Sequence, residues 1–149
     1  MSRKKNALRG HFIAPYTNAE TKPADEAYLE LAKWITNISD DTDEASDDYA
    51  DYAGDGTPST DVTSVSEKWT VEGTYDPEDP AQKLIAGMKR KLGDDRKVWH
   101  KVVQTDGVTA IGVATVSEIK AGSGEASEYE AFGCILNYDQ IPEETNTGA

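Results

Sequence analysis

Residues 62–93, VTSVSEKWTVEGTYDPEDPAQKLIAGMKRKLG, contain the two patterns that decide the fold. In the first half, up to residue 75, apolar side chains fall on one face and polar side chains on the other. The apolar set is Val65, Trp69, Val71 and Tyr75. This period of two predicts a β-strand with one face in water.

The second half changes to a helical pattern. Asp79 is placed to cap a helix, Pro80 suits the first helical position, and Gln82 completes a capping box. One apolar stripe follows at helical spacing: Ala81, Leu84, Ile85, Met88 and Leu92. Basic residues and then Gly93 favour an end to the helix there. The sequence therefore predicts one α-helix over residues 80–92.

More strands are predicted on both sides of this stretch. Residues 96–105 and 108–119 flank Asp106-Gly107, a dipeptide typical of a tight β-hairpin. Residues 11–16, 33–39 and 126–138 also have extended patterns. We therefore predict a mainly β protein, an antiparallel β-sandwich or barrel-like pair of sheets with one flanking α-helix. The expected core includes Trp69, Leu84, Ile85, Met88 and Val102.

The acidic residues are concentrated in one part of the chain. Residues 34–67 carry ten acidic side chains and no basic one. Between residues 40 and 60 no apolar period is present, and like charges oppose compaction there. We expect a long acidic loop at 40–60, an N-terminal arm at 1–22 and a C-terminal tail at 139–149, all within a single domain of 149 residues.

Charge and composition exclude several classes of protein. A net charge of -13 opposes stable binding to DNA phosphates, which needs clustered Lys and Arg. A single cysteine, Cys134, excludes an internal disulfide framework and a zinc cluster. No window is apolar enough for a membrane span, and no signal peptide is recognisable, so we expect a soluble protein without a membrane partner.

Candidate catalytic groups are few. His100 faces the same side of its strand as two valines, so we favour a core or rim histidine over a catalytic one. Cys134 in an apolar strand is expected to be buried. An EF-hand loop starting at Asp51 fails at Ala53 and Val62, although irregular calcium coordination by the acidic loop stays open. We expect no cofactor and no enzymatic activity.

Taken in order, several segments resemble phage major tail proteins, the tail tube subunits of long, non-contractile-tailed phages of Gram-positive bacteria. The segments are NALRGHFIAPY (6–16), residues 34–39 before an acidic loop ending in YAGDG (52–56), GTYDPEDPAQ (73–82), VVQTDG (102–107) and GVATVSEI (112–119). The resemblance implies a β-sandwich with a flanking helix. It also implies a virion structural protein whose hexameric rings stack into a hollow tube, through which DNA is ejected into the host.

The resemblance also implies partners and a location. The chain would contact copies of itself, the tape measure protein, and the tail terminator and distal tail or baseplate proteins. DNA would pass through without specific binding. The subunit would be assembled in the host bacterial cytoplasm and reside in the virion tail. In this family the long loop and the terminal arm make ring-to-ring contacts.

Two sets of residues follow as hypotheses. The subunit-contact set lies in the expected arm and loop: Arg9, Phe12, Asp48, Tyr49, Asp51, Tyr52 and Asp55. The lumen set consists of acids on expected strand faces, since a wall without cations would not hold a polyanion: Glu67, Glu72, Glu118, Glu128 and Glu130.

Two alternatives remain. A tail terminator or distal tail ring protein of the same virion would form rings that do not polymerise. A free β-sandwich binding module, from a different class of function, would use the acidic loop to bind calcium or a basic partner.

Overall fold

One curled antiparallel sheet forms most of the structure, a computed structural model that describes residues 3–18, 20 and 22–146. Its main path runs β2–β1–β7–β8–β9–β6–β3, and β10 pairs with β8 beside that path. The strands are β1 (Gly10–Pro15), β2 (Leu29–Glu30), β3 (Ile35–Asp40), β6 (Lys68–Thr74), β7 (Lys97–Val103), β8 (Val108–Ala121), β9 (Ala131–Tyr138) and β10 (Glu143–Asn146). The sheet has the shape of a half-barrel, and the prediction of a mainly β fold with one flanking helix is confirmed.

A second sheet consists of only two strands, β4 (Asp43–Tyr49) and β5 (Ser59–Ser66). The prediction of an acidic loop over residues 40–60 is therefore wrong in its local structure, because most of that segment belongs to a β-hairpin. Across the hairpin, most acids face Ser, Thr or Val rather than another acid, with Asp47 opposite Asp61 as the exception. Repulsion between the acids is thus spread along a solvated ribbon, and the β-branched residues of β5 favour the extended backbone.

The strand predicted over residues 62–75 is divided at Glu67. β5 ends at Ser66 in the small sheet, and β6 begins at Lys68 in the large sheet. Trp69 and Val71 are buried as expected, whereas Val65 is exposed on the hairpin. The alternation continues across the break, so the sequence pattern does not reveal that the two halves pack on different partners.

The helix α1 (Pro80–Ala86) is shorter than predicted. Its start is confirmed, since the Asp79 carboxylate accepts a hydrogen bond from the Gln82 backbone N–H at 3.1 Å and Pro80 follows the cap. After Gly87 the chain continues in tight turns to Leu92. The Arg96 guanidinium donates to the carbonyls of Lys89 and Lys91, which satisfies groups that a longer helix would bond internally.

The Gln82 side chain does not complete a capping box. It is fully buried, its amide nitrogen donates to the carbonyls of Lys33 and Thr74, and its amide oxygen accepts from the Asp76 N–H at 2.7 Å. Gln82 thereby ties the start of α1 to the end of β6 and to the chain entering β3.

Both ends of the chain contribute strands to the large sheet. β1 lies within the expected N-terminal arm, yet it pairs with β2 on one side and β7 on the other. β10 lies within the expected C-terminal tail and pairs with the first part of β8. The apolar residues of β1 explain its place, because Ile13 and Ala14 are fully buried. β10 has no apolar pattern and is held through its backbone.

The core lies between one face of the large sheet and α1. Trp69, Ile85, Met88 and Val102 belong to one buried cluster, and Leu84 packs against it, so the predicted core set is confirmed. The expectation that Cys134 is buried is confirmed, and Phe132 and Leu136 on the same face of β9 are buried with it. Burial raises the pKa of the Cys134 thiol to about 12, which removes the thiolate needed for nucleophilic chemistry.

A polar network runs through this apolar core. The Tyr138 hydroxyl lies 2.6 Å from Nδ1 of His100, and Nε2 of His100 lies 3.1 Å from Nδ1 of His11. The two imidazole rings are stacked, and Trp69 packs edge-on against His11. Burial lowers the pKa of His11 to about 4 and lowers that of His100 well below its usual range. The prediction that His100 is a core histidine is confirmed.

Replacing Trp69 by alanine is expected to destabilise the protein by about 3–5 kcal/mol, because the indole is buried among the core side chains and its removal leaves a cavity. Chemical denaturation measures the free energy of unfolding. Leu92→Ala serves as the control, since Leu92 is 83% exposed and its loss should change stability by less than about 0.5 kcal/mol. Equal stability of the two variants would contradict the assignment of the core.

Acid is expected to destabilise the protein before its carboxylates titrate. The histidines bind protons in the unfolded chain near pH 6.5 but in the folded chain only at much lower pH. The contribution of the two neutral histidines to the free energy of unfolding is therefore present above pH 6.5 and is lost as the pH decreases toward 4. We expect a loss of about 1 kcal/mol per histidine between about pH 7 and pH 5.5, measured by urea denaturation.

The size of this acid effect should decrease by about half in a His11→Gln variant, because one titrating group is removed and a hydrogen-bonding side chain is kept. Glu67 acts in the opposite direction, because burial raises its pKa and the folded state holds its proton more tightly. An unfolding free energy that does not change over this pH range would contradict the assignment of neutral histidines.

Candidate functional site

The β4–β5 hairpin is exposed along its whole length. All seven residues of β4 and all eight of β5 are exposed, including Val62 and Val65. It is attached to the body at its base, where the Asp41 N–H donates to the Lys68 carbonyl and the Lys68 ammonium pairs with Asp43. An isolated two-stranded hairpin is marginally stable in water. This element therefore presents surfaces that its own chain does not cover within the described residues.

The register gives the hairpin two different faces. The valine face carries Val62 and Val65 with Glu44, Ser46, Asp48 and Thr60. The tyrosine face carries Tyr49 with three acids and small residues: Asp43, Ala45, Asp47, Ser59, Asp61, Ser64 and Ser66. A bulge between Ala45 and Ser46 brings both valines to the same side. The valine face combines apolar and acidic groups, and the tyrosine face combines one aromatic ring with three acids and small residues.

Five of the seven predicted contact residues lie on this hairpin. Asp48 and Tyr49 belong to β4, while Asp51, Tyr52 and Asp55 belong to the turn over residues 50–58. All five are exposed. Hydrogen bonds from Thr57 lower the pKa of Asp55, so its carboxylate remains charged while it orders the turn.

The other two predicted contact residues lie on the body. The Arg9 guanidinium donates to the side chains of Gln104 and Asn6. Phe12 lies in β1, half-buried, with the Lys101 ammonium 4.9 Å from its ring centroid. These contacts hold both side chains within their own chain. The structure therefore does not bring Arg9 and Phe12 together with the hairpin of the same copy.

The predicted lumen acids do not share one surface. Glu72 projects from β6 on the outer face of the sheet, opposite the core, and Glu118 is exposed at a bulge in β8. Glu128 and Glu130 lie in the loop before β9. Glu67 is half-buried and accepts a hydrogen bond from the Trp69 indole N–H at 2.9 Å. Of the five, Glu72 is the one whose position in the large sheet is paired with a neighbouring strand on both sides.

The outer face of the large sheet has a covered part and an open part. Tyr16, Ala27 and Tyr28 pack against Ala14, Trp99 and Val113 and cover that part of the face. The open part is formed by β3, β6, β9 and the second half of β8. Its side chains are mostly polar and include two lysines: Asn37, Ser39, Lys68, Thr70, Glu72, Thr115, Ser117, Lys120, Ile135 and Asn137. The predicted lumen set contained only acidic residues, and the prediction therefore missed this mainly polar surface.

The free edges of the large sheet face each other. β2 and β3 are its end strands, and a cleft of about 420 Å³ lies between them. The cleft is lined by residues 6–11, 30–32 and 35–38. Exposed edge strands offer unpaired backbone groups to another chain, which makes these edges a natural place for contacts between molecules.

Metal and acid–base chemistry find little support in the described residues. No group of three or more His, Cys, Asp or Glu side chains is positioned there to hold a metal ion. Both imidazoles are buried and neutral at pH 7. No helix in the described ranges is long and apolar enough to cross a membrane. The exposed hairpin and the free edges of the large sheet are surfaces available for contacts with other macromolecules.

Comparison with known sequences and with solved structures gives different results. No family model and no curated protein matches this sequence. A chain of the native gene transfer agent virion aligns with a TM-score of 0.68 at 9% identity, over 96% of this chain and 99% of that chain. A chain of the empty gene transfer agent tail, refined with C6 symmetry, aligns at 0.66 and 9% identity, over 96% and 99%.

A third solved structure comes from a different particle. A chain of the anti-feeding prophage cap, described as the cap that terminates the tube, aligns with a TM-score of 0.60 at 13% identity. The alignment covers 99% of this chain and 93% of that chain. At such low identity the likeness establishes a shared fold, and this chain therefore has a fold found in components of tails and of tube caps.

Proposed function

We propose that this chain is a structural subunit of a phage-like tail, in which copies form hexameric rings that stack into a tube. The observation that carries the proposal is the exposed hairpin, an element too small to be stable alone and uncovered by its own chain. The shared fold with chains of a C6-symmetric tail supports it. In this proposal residues 1–149 act as one domain.

Ring formation would use the edges and faces of the large sheet. A heterologous interface between identical copies closes into a ring when the rotation between copies closes, and stacked rings extend without limit. Pairing β2 or β3 with a neighbour would cover backbone groups that are otherwise exposed. We assign the open part of the outer face to the lumen, because most of its side chains are small and polar and are compatible with a water-filled channel.

The lumen assignment has a physical basis in charge. Lys and Arg bind DNA by releasing counterions, so a wall with few free cations lets a polyanion slide. The open part carries Lys68 and Lys120, and the Lys68 ammonium is paired with Asp43. Glu72 fits this role on the outer face. Glu118 at the bulge of β8, and Glu128 and Glu130 in the loop before β9, would extend this acidic surface where they line the same opening. Glu67 fits least well, since it is half-buried against Trp69. DNA would pass during ejection into the host, as would the tape measure protein during assembly.

Ring-to-ring contacts would use the hairpin. Asp48, Tyr49, Asp51, Tyr52 and Asp55 would meet the body of a copy in the next ring. Arg9 and Phe12, beside Lys101, would form part of the receiving surface. Because exposed ion pairs contribute only about 0–1 kcal/mol each, the tyrosines and valines must supply most of the affinity. Assembly would take place in the host cytoplasm, with terminator and baseplate proteins at the two ends of the tail.

A second candidate is a ring that ends a tube. It is favoured by the likeness to a chain of the anti-feeding prophage cap, which covers 99% of this chain. Such a protein would form single rings without stacking. Electron microscopy of the purified protein separates the candidates: long tubes favour a tube subunit, and single rings favour a terminal ring. A monomer whose melting temperature rises with calcium would instead favour a free binding module.

Removing the hairpin is expected to abolish stacking while leaving the body folded. Glu44 and Val65 lie opposite each other, so residues 45–64 can be replaced by Asn-Gly, which closes a two-residue turn. The unfolding free energy should change by less than about 1 kcal/mol, because the deleted residues bury no core. Tube length is measured by electron microscopy.

The matched control for this deletion is Gly54→Ala, a change in the turn of the intact hairpin. The added methyl group would meet nothing closer than 3.8 Å. This control should assemble like the parent protein. Tubes of normal length from the hairpin deletion would show that stacking does not use the hairpin.

A further inference from the structure

Trp34 is held in a backbone conformation that bulky residues rarely adopt. Its φ of 66° is in the left-handed region, which costs about 1–3 kcal/mol for a non-glycine residue. Surrounding contacts impose it, since the Trp34 carbonyl accepts from the Thr74 N–H at 2.8 Å. Gly73 makes the approach possible, because a Cβ there would lie 2.3 Å from the Trp34 oxygen. This backbone conformation sets the direction of the Cα–Cβ bond of Trp34.

This fixed indole is half exposed and forms part of a concave aromatic surface. Trp34 is 52% exposed, its N–H donates to the Asp76 carboxylate at 3.2 Å, and Tyr129 beside it is 89% exposed. The surface is a cleft of about 410 Å³ lined by Trp34, Thr74, Tyr75, Asp76, Pro77 and Tyr129, which we call the aromatic cleft. Tyr75 is anchored by stacking on buried Phe132.

Preorganised Trp and Tyr side chains around a concavity are typical of the residues that dominate protein interfaces. The rim of the aromatic cleft is mainly acidic. Asp76 lines it, Glu78, Glu128 and Glu130 lie next to its lining residues in the sequence, and the Lys33 ammonium lies 4.8 Å from the centroid of the Trp34 ring. The surface that fits this cleft is therefore an apolar side chain surrounded by basic groups.

The same chain presents such a surface after α1. Leu92 is 83% exposed and follows three exposed basic residues, Lys89, Arg90 and Lys91. The turn is rigid, because the Arg96 guanidinium binds the carbonyls of Lys89 and Lys91 at 2.5 and 2.8 Å. We call residues 89–92 the basic turn. No ion pair of its three basic side chains occurs within the described ranges.

We propose that the basic turn of one copy docks in the aromatic cleft of the next copy, with Leu92 inserted beside Trp34 and Tyr129. The two surfaces are different patches of the same chain. A contact in which each copy gives its basic turn to one neighbour and its aromatic cleft to another is heterologous, the type that closes rings. Charge complementarity selects this occupant over an acidic partner. The inference rests on the proposed function, since it specifies the lateral contact within a ring.

Substitutions on the two sides should weaken assembly equally. Leu92→Asp and Tyr129→Ala each alter a side chain that is more than 80% exposed, so neither should change the unfolding free energy of the monomer. We expect each to raise the concentration at which oligomers form by roughly tenfold or more. Analytical ultracentrifugation over a concentration series measures this. Ile141→Asp is the matched control, since Ile141 is 71% exposed and lies outside both surfaces and outside the cleft between β2 and β3.

Cross-linking tests the contact directly. Leu92→Cys chains and tagged Tyr129→Cys chains are mixed and oxidised, and the buried native Cys134 does not compete. We expect a disulfide between the two kinds of chain, and none when Ile141→Cys replaces Leu92→Cys. Rings or tubes that form without this cross-link, and that Leu92→Asp leaves intact, would overturn the inference and leave the proposed function in place.

Two other outcomes would contradict the proposed contact between the basic turn and the aromatic cleft. A parent protein that remains monomeric at every concentration would overturn the proposed function and this inference together. Parent-like assembly of Leu92→Asp with loss of assembly in Tyr129→Ala would mean that the aromatic cleft receives a different segment, and the assignment of the basic turn would be wrong.

Discussion

The backbone pairing of β8 is the constraint on which the rest of the structure depends. This strand of 14 residues pairs with β7 on one side, and on the other side with β10 along its first part and β9 along its second. A bulge between Ser117 and Lys120, where Glu118 has a φ of 49°, interrupts the register with β9. Bulges increase local bending and twist, which is consistent with a sheet that curls rather than remaining flat.

The curl divides the molecule by chemistry. On the inner side the sheet and α1 enclose an apolar core, together with a buried network of Tyr138, His100 and His11. On the outer side, small polar groups lie next to a second, smaller cluster around Trp99. The hairpin extends from the end of β3 and the start of β6 and shares neither environment. A stable body that carries exposed edges and one uncovered element has the physical character of a building block.

Local rules gave correct predictions where neighbouring residues determine the structure. Asp79 and Pro80 begin the helix as expected, and Asp106-Gly107 joins β7 to β8. Prediction failed where distant groups decide. Gln82 leaves its capping role because carbonyls from other segments compete for its amide, and the helix ends early where Arg96 takes over its last carbonyls. No local pattern marks these contacts.

The candidate site shows the same division. The acidic character of residues 40–60 was evident from composition, but their pairing with β5 was not, since Asp and Ser are weak strand formers and the alternation of residues 62–75 suggested one continuous strand. Trp34 could not be identified at all. Its strained backbone depends on Gly73, 39 positions away in the sequence, and a single sequence does not show that approach.

The turn of the hairpin has a consequence for the lifetime of an isolated chain. Residues 50–58 are solvent-exposed and outside any strand, which is where proteases preferentially cut. A copy that has not found its neighbours thus displays a cleavage point, and a copy whose hairpin is covered does not. In the proposed assembly, degradation would remove copies that have found no neighbour and spare copies whose hairpin is covered.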